Sequence, residues 1–317
     1  MAALRGDLVV LGASGKMGPS LARLARRASD AAGADRRVIA VARFTDATVR
    51  EALHRAGVET VTCDLLDRAA VSALPDAPNV VYMAGHKFGT ADDPARTWAV
   101  NVLAAAHAAE RYRASRLVAF STGNVYPLMP VDAGGATETH ATEPVGEYAQ
   151  SALGRERILS FHAARHGTAT TILRLNYAVE PRYGVLRDVA DRVHAGAPVD
   201  LTMGFVNVIW QRDACAVALR SLAHCAVPPF VLNVTGAEVV AIRRLAQLFA
   251  ERFQAVAAFE GTEARTALLS DAARMVDRFG PPETGLEAMV DHVAAWLLSG
   301  GRSLGKPTHY GVRNGRF

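Results

Sequence analysis

Short apolar runs alternate along the chain with longer stretches in which apolar residues recur at helical spacing. The short runs are rich in β-branched residues, which is typical of strands. We predict strands near residues 7–11, 37–42, 58–63, 79–83, 116–121, 170–175 and 230–234. Between them, helices rich in Ala and Leu are predicted at residues 19–28, 46–56, 94–112 and 148–166.

This alternation predicts an α/β fold with a doubly wound parallel sheet, because parallel strands need crossover helices that cover both faces. Ligands of such sheets bind beyond the carboxyl ends of the strands. After about residue 176 the alternation loosens and Pro and Gly become more frequent. We therefore predict a main domain over residues 1–175, joined again by residues 207–235. Residues 176–206 and 236–317 would form a smaller C-terminal substrate lobe.

Composition adds few constraints. The 317 residues carry a net charge of +4 without a long basic run, which argues against a nucleic-acid partner. The three cysteines show no C-x-x-C spacing, so we expect neither a zinc site nor disulfides, and a cytoplasmic location is the default. No segment approaches 18 uninterrupted apolar residues, and we expect a soluble protein without a membrane partner. No histidines and acids show metal-ligand spacing, so we assign no metal.

The first predicted strand runs directly into the sequence GASGKMG, where Gly12, Gly15 and Gly18 lie three residues apart. Glycine allows a tight turn and the close approach of a pyrophosphate, and the N-terminus of the following helix attracts phosphate. The loop between a strand and a helix therefore predicts a Rossmann-like dinucleotide site. Its candidate residues are Gly12, Ser14, Gly15, Lys16, Met17 and Gly18.

The end of the second strand distinguishes NAD from NADP. An acid there holds the ribose 2′-hydroxyl of NAD, whereas an arginine favours the 2′-phosphate of NADP. The strand ends in Arg43, and Asp46 follows in what resembles a helix cap. Lys16 would add a second cation near that ribose. NADP is the preferred cofactor on these grounds, and NAD is the alternative.

Several motifs occur in the order known from one family: GASGKMG, CDLLD, YMAGHKF, the helix with Asn101, FSTGNVYP and the region of Tyr148. Over roughly residues 7–235 the chain resembles the extended short-chain dehydrogenase/reductases of the NAD-dependent epimerase/dehydratase group. The resemblance implies an adenine pocket at Asp64 and Leu65 and a cofactor passage at Ala84 and Gly85. It also implies a cofactor contact from Asn101, which matches the asparagine of the family's NVxG helix. Lys87 is implied as a second contact, because AGHK is similar to the AGLK of UDP-galactose epimerases, whose lysine reaches the cofactor.

The same resemblance implies the catalytic residues. FSTGNVYP is similar to the family's FxSSxxVYG, which aligns Thr122 with a hydroxyl that hydrogen-bonds the reacting oxygen. YAQSALGRE is similar to YxxSKxxxE, which makes Tyr148 the catalytic tyrosine. Ala152 stands where that motif has a lysine that lowers the pKa of the tyrosine and holds the ribose hydroxyls. Arg155, two turns from Tyr148, is expected to face a partner or solvent.

Three alternatives follow from the missing lysine. Tyr148 remains the acid and Lys87 supplies the cation; or the site performs another reaction, such as isomerisation, elimination or lyase chemistry; or the fold has become a nucleotide sensor without turnover. His86 and His140 are candidate replacement acids. Further candidates for substrate contact, beside His86, are Asn124, Asn176, Tyr177 and Trp210.

We therefore predict an NAD(P)-dependent oxidoreductase or epimerase/dehydratase-like enzyme that acts on a small hydroxylated, sugar- or polyol-like substrate. The alternative is a non-catalytic dinucleotide sensor, or a non-redox lyase or isomerase. The family pairs subunits through the helices at residues 94–112 and 148–166, which implies a homodimer; their small residues would allow two subunits to approach closely. The C-terminal tail either extends into solvent or closes over a pocket or a neighbouring subunit.

Overall fold

The computed structural model describes residues 2, 4–306 and 308–316. In this part of the chain, seven parallel strands form a central sheet: β1 (Leu8–Leu11), β2 (Val38–Ala42), β3 (Glu59–Thr62), β4 (Asn79–Tyr82), β5 (Arg116–Thr122), β7 (Thr170–Leu175) and β12 (Phe230–Val234). Their order across the sheet is β12-β7-β5-β4-β1-β2-β3. The order reverses on either side of β1 and β4, so the sheet is doubly wound and Rossmann-like, as predicted.

Short strands pair outside the central sheet. They are β6 (Met129–Pro130), β8 (Ala178–Val179), β9 (Val199–Asp200), β10 (Phe205–Val206), β11 (Ile209–Trp210), β13 (Val240–Ala241), β14 (Phe259–Glu260) and β15 (Thr266–Ala267).

The helices are α1 (Gly18–Ala31), α2 (Ala47–Arg55), α3 (Arg68–Ser72), α4 (Pro94–Trp98), α5 (Ala104–Arg111), α6 (Gly146–His166), α7 (Val185–His194), α8 (Gln211–Ser221), α9 (Ile242–Phe253), α10 (Ala273–Phe279) and α11 (Leu286–Leu298). A π-helical turn at Ala99–Leu103 joins α4 to α5.

Each of the seven predicted strands is present within two residues of its predicted bounds. Alternating side chains of β1 show why these runs form a two-faced sheet. Leu8 and Val10 lie in one apolar cluster with residues of α1 and α8, whereas Val9 and Leu11 lie in another with residues of α5. Both faces of the strand are therefore buried, which explains its continuous apolar sequence.

A separate apolar cluster lies toward the C-terminal part of the chain. It includes buried residues of α7, α9 and α11, and its largest fully buried side chain is Phe249. These three helices pack on one another. The cluster begins at Val179, close to the point where the strand–helix alternation loosens in the sequence.

The small residues of the helices predicted to pair two subunits differ from expectation. Ala104, Ala105, Ala108, Ala149 and Ala152 are all buried within the chain. Ala104, Ala105 and Ala108 pack in the apolar cluster that covers one face of the sheet, and Ala152 packs with Val125 and Tyr126. Buried residues of this kind are not available to a second subunit. For these five residues the expected close approach between subunits is wrong, whereas Gly154, the sixth small residue of the prediction, is half-buried. The homodimer itself stays a prediction.

Candidate active site

The glycine loop between β1 and α1 has the geometry of a phosphate cradle. Gly12 has φ +81°, and a Cβ there would lie 2.6 Å from the backbone nitrogen of Ala84. A Cβ on Gly18 would lie 2.4 Å from the carbonyl oxygen of Ala13. Because no side chain fits at either position, the backbone can turn sharply and leave the N-terminal end of α1 open to a ligand.

Ala84 and Gly85, which follow β4, lie beside this loop and are held there by Asn101. The buried Asn101 amide accepts a hydrogen bond from the backbone N–H of His86 (2.7 Å) and donates one to its carbonyl oxygen (3.0 Å). Its nitrogen also donates to Ser151 Oγ of α6 at 2.8 Å. Asn101 lies in the π-helical turn, an irregularity that is frequent at functional sites. It thus links the exit of β4 to α6.

A cleft of about 290 Å³ runs from the glycine loop past Ala84 and Gly85 to Thr122 and Tyr148. Of the predicted site residues, it is lined by Gly12, Gly15, Lys16, Met17, Gly18, Ala84, Gly85, Lys87, Thr122, Asn124, Tyr148, Asn176 and Tyr177. It lies beyond the carboxyl ends of the central strands, where parallel sheets bind ligands.

Thr122, at the end of β5, lines the cleft. Its hydroxyl donates to Asn124 Oδ1 at 2.9 Å and accepts from the Asn124 backbone N–H at 3.2 Å. Asn124 is therefore tied to Thr122. Tyr148, in the first turn of α6, lines the same cleft.

Two lysines also line this cleft. The Lys87 ammonium lies 5.8 Å from the centre of the Tyr148 ring. Burial lowers the pKa of Lys87 to about 8, although Asp188 acts in the opposite direction. Burial lowers the pKa of Lys16 to about 7, against the effect of Glu180 and aided by the positive charge of Lys87.

Lys16 does not lie near the end of β2, where it was predicted to contact the ribose. Its Nζ donates to the carbonyl oxygen of Ala178 at 2.7 Å and lies 3.9 Å from the centre of the Tyr183 ring. Ala178 follows β7, on the opposite side of β1 from β2. The prediction is therefore wrong, because the lysine side chain extends toward the region after β7.

Ala152 and Arg155 change the interpretation of α6. Ala152 is fully buried among apolar residues that include Val125 and Tyr126. Arg155 was expected to face a partner or solvent, and this is wrong: the residue is 4% exposed and lines the cleft. At 100° per residue, position 155 lies only about 20° from Tyr148 around the helix, so the spacing could have revealed it.

The remaining predicted residues lie outside the cleft. At the adenine end, Leu65 is buried, whereas Ser14, Arg43 and Asp64 are exposed. On the substrate side, His86 and Trp210 do not line it. The Trp210 ring packs 5.5 Å from that of His292. The exposed His140 contacts the backbone nitrogen of Thr137.

On the substrate side of the cleft, Asn176 and Tyr177 follow β7. The Asn176 amide donates to Asn207 Oδ1 (2.8 Å) and to the carbonyl oxygen of Leu268 (3.1 Å), which anchors this backbone. Tyr183, a residue that the sequence analysis did not identify, also lines the cleft. Burial raises the pKa of both Tyr177 and Tyr183 above the ordinary range.

The described part of the C-terminal tail does not extend into solvent. Thr308 lines the cleft, and its backbone N–H and hydroxyl both donate to the Asp188 carboxylate. Further along, Arg313 donates to the carbonyl oxygen of Thr266 at 2.7 Å. The tail was predicted either to extend into solvent or to close over a pocket or a neighbouring subunit. Its described part packs on its own chain and borders the cleft at Thr308.

No group of His, Cys, Asp and Glu residues in the described part of the chain could hold a metal ion. None of the helices among the described residues is both long and apolar enough to cross a membrane.

The chain is similar to known proteins in sequence and in fold. A model of the NAD dependent epimerase/dehydratase family matches residues 8–226. No curated protein matches the chain at a significant level.

Solved structures share the fold. The chain is similar to the Bordetella bronchiseptica enzyme WbmG in complex with NAD, at 20% identity and a TM-score of 0.77 over 95% of this chain and 97% of that one. It is also similar to the Thermus thermophilus UDP-glucose 4-epimerase in complex with NAD, at 21% identity and a TM-score of 0.75 over 91% and 98%. A Bacillus cereus UDP-glucuronic acid 4-epimerase mutant matches at 14% identity and a TM-score of 0.78 over 92% and 99%.

Proposed function

The chain belongs to the NAD-dependent epimerase/dehydratase family, and we propose that it uses its nicotinamide dinucleotide to act on a small hydroxylated substrate that carries a negative charge. One observation carries this proposal. The glycine loop, the exit of β4 and the Thr122–Tyr148 pair line a single cleft. A dinucleotide bound across the glycine loop and the exit of β4 would have its nicotinamide beside Thr122 and Tyr148.

The residues of the cleft fit such a cofactor. Gly12 and Gly18 leave no room for a side chain, so the loop can accept the pyrophosphate at the N-terminus of α1. Ala84 and Gly85 border the passage toward Tyr148, and we propose Asn101 as the residue that keeps this passage open. At the adenine end, the exposed Asp64 and the buried Leu65 follow β3, at the same edge of the sheet.

When bound, the nicotinamide would accept or donate a hydride at a carbon that bears a hydroxyl or carbonyl group. The phenol of Tyr148 would exchange the proton of that hydroxyl. The Thr122 oxygen, held by Asn124, would hydrogen-bond the same group and orient it. A positioned proton donor of this kind contributes about 10²–10⁴ in rate.

The charge of the cleft favours an anionic substrate. Its described lining includes the cations Lys16, Lys87 and Arg155 but no carboxylate. The cofactor's pyrophosphate would lie over the glycine loop, whereas Lys16 reaches the backbone after β7, on the substrate side. A carboxylate or phosphate on the substrate would match this charge, and Lys87 would stabilise negative charge that develops beside Tyr148.

A preference for NADP over NAD rests on Arg43 alone. Arg43 is exposed at the end of β2, while the Asp46 carboxylate accepts hydrogen bonds from Thr48 and caps α2. Asp46 is therefore engaged away from a ribose hydroxyl. The solved relatives named above are NAD complexes, so the ratio of the two affinities must be measured. Arg43→Asp should shift it toward NAD.

We also propose the two-part organisation and the homodimer. Residues 176–206 and 236–317 would supply the substrate lobe, consistent with the separate apolar cluster from Val179 onward. Exposed apolar side chains remain on the two helical segments predicted to pair subunits: Trp98 is 39% and Phe161 is 54% exposed. Covering them with a second copy would remove apolar surface from water.

The cofactor is tested by titration of the protein with NAD and NADP. Gly15→Val is the most informative variant, because a Cβ at Gly15 meets only the carbonyl oxygen of Gly12, at 3.4 Å. The variant should fold but place methyl groups where the phosphates bind, and binding should be lost. Gly285→Ala, at a position with no atom within 4 Å, is the control and should bind normally. A wild-type chain that binds neither nucleotide would contradict the proposal.

Turnover is tested with polyhydroxy acids and phosphorylated sugars against the corresponding neutral sugars, by following the absorbance of the reduced nicotinamide and the products. We expect the charged compounds to be preferred. Sugar nucleotides such as UDP-glucose, which is bound in two solved structures of similar fold, belong in the same panel. Binding of the dinucleotide without turnover of any compound would favour the sensor alternative. A product formed without net or transient reduction of the nicotinamide would favour a non-redox lyase or isomerase.

A further inference from the structure

Arg155 carries a buried positive charge that forms no ion pair with any acid in the described part of the chain. The residue is 4% exposed. The neighbouring acid, Glu156, instead pairs with Arg174 at 2.7 Å. An unpaired buried charge costs free energy of folding, so a ligand that accepts hydrogen bonds from this guanidinium would stabilise it.

The hydrogen bonds of Arg155 are also incomplete. Its Nη1 lies 3.4 Å from the carbonyl oxygen of Ala84 and 3.5 Å from Asn101 Oδ1, both longer than an ordinary N–H···O bond. Its Nε is buried and has no partner in the part of the chain that the structure describes. A guanidinium has five N–H donors. Most of its hydrogen-bonding capacity is therefore still available beside the cleft.

Helix geometry explains how this side chain reaches the position. Arg155 follows Tyr148 by seven residues, which is nearly two full turns, so both lie on one face of α6. Helical side chains lean toward the N-terminus of their helix. The guanidinium consequently approaches Asn101, whose amide also contacts Ser151, and it lies close to the level of Ala152.

Gly85 makes room for the guanidinium. A Cβ at position 85 would lie 3.3 Å from Arg155 Nη1 and 3.4 Å from Asn101 Oδ1. Because Gly85 has no side chain, the guanidinium can approach the exit of β4 closely. The site is built from three distant segments: the loop after β4, the π-helical turn and α6.

The order of the strands identifies the part of the cofactor that passes this point. The glycine loop follows β1, Thr122 is the last residue of β5, and β4 lies between these two strands. A dinucleotide with its pyrophosphate at the exit of β1 and its nicotinamide at the exit of β5 must cross the exit of β4 with the intervening ribose. The hydroxyl oxygens of that ribose are acceptors of the kind that a guanidinium binds.

We propose that Arg155 binds the hydroxyl groups of the nicotinamide ribose and brings to the cleft the fixed positive charge that Ala152 does not provide. This assignment rests on the proposed dinucleotide binding. It differs from the sequence-based expectation that Lys87 fills the gap. The Lys87 ammonium lies 5.5 Å and 5.8 Å from the ring centres of Phe88 and Tyr148, whereas Arg155 Nη1 lies beside the backbone of Ala84 and Gly85.

The test compares three nucleotides that share one half of the cofactor. Binding of NAD, ADP-ribose and ADP is measured by calorimetry for the wild-type chain, Arg155→Met and Arg155→Gln; their 2′-phosphorylated counterparts are used if NADP binds more tightly. Both variants should bind NAD and ADP-ribose about 10- to 100-fold more weakly, the usual effect of losing a hydrogen bond to a charged group. ADP, which lacks the second ribose, should bind within about twofold of the wild-type value.

The matched control is Arg157→Met, because Arg157 is exposed on the same helix. It should leave the binding of all three nucleotides unchanged. Circular dichroism establishes which variants are folded, and Arg155→Gln replaces Arg155→Met if the latter does not fold.

Two results would overturn the assignment. A folded variant that binds NAD and ADP-ribose as tightly as the wild type would show that Arg155 does not contact the ribose. Equal weakening of all three nucleotides, ADP included, would mean that Arg155 acts on the phosphates or on the structure of the glycine loop. If the wild-type chain binds none of them, the proposed function itself fails and this assignment fails with it.

Discussion

Lys16 and Lys87 should release their protons near neutral pH, far below the usual range for lysine. Burial lowers the pKa from 10.5 to about 7 for Lys16 and to about 8 for Lys87. At pH 9 the neutral amine of Lys87 would then outnumber its ammonium form about tenfold, and at pH 7 the reverse would hold. The charge of the cleft therefore changes between about pH 6 and 9.

The sequence makes this measurement simple, because the chain contains only three lysines. With the lysine side chains labelled with carbon-13, each ε-methylene signal can be followed through a pH titration by NMR. Single Lys→Arg variants assign the signals, and the exposed Lys306 is the internal reference. We expect the Lys16 signal to titrate first and the Lys87 signal about one pH unit later.

Removing one charge provides a second check. The positive charge of Lys87 contributes to the low pKa of Lys16. Lys87→Met should therefore move the titration of Lys16 to higher pH, whereas Lys306→Met should leave it in place. If Lys16 and Lys87 both titrate close to 10.5 in the folded chain, the inference that burial desolvates them is wrong.

The same pKa values have a consequence for stability. Since the folded state lowers both pKa values, it binds fewer protons than the unfolded state between about pH 7 and 10.5. Stability attributable to these lysines should therefore rise with pH across that window, and the cost of burying them is fully present below it. Lys16→Met should raise the melting temperature more at pH 6 than at pH 10.

Three further predictions concern the surroundings of the site. Arg174→Met leaves the Glu156 carboxylate buried without the guanidinium that pairs with it. It should cost about 3–5 kcal/mol in the free energy of unfolding, measured with denaturant. Adding Glu156→Gln should recover part of this loss, and full stability of the single variant would contradict the buried pair. Replacing Trp98 and Phe161 together with Glu should convert a homodimer into a monomer by light scattering, and a wild-type chain that is already monomeric at micromolar concentration would refute the interface. Thr308→Val removes a hydrogen bond to the Asp188 carboxylate and should cost about 1.5–3 kcal/mol, with faster proteolysis of the C-terminal tail; an unchanged cleavage rate would mean that this contact does not hold the tail.

The sequence alone was sufficient to predict the seven central strands, the glycine loop and most of the cleft lining. These features depend on residues that are close in the chain. Apolar runs define the strands of a parallel sheet, and the glycine spacing defines a turn such as the one at Gly12. The carboxyl ends of parallel strands then meet at one edge of the sheet, which brings Ala84 and Thr122 together.

The tertiary structure alone decided where the long side chains end. Lys16 extends toward Ala178, which lies 162 residues away in the chain, and Arg155 extends toward Ala84, which lies 71 residues away. A flexible side chain can reach solvent, a neighbouring subunit or a cleft from the same position on a helix. Which of these it reaches depends on how distant elements pack around it. The helical spacing places Arg155 on the same face of α6 as Tyr148, but it does not show that Ala84 lies beside the guanidinium.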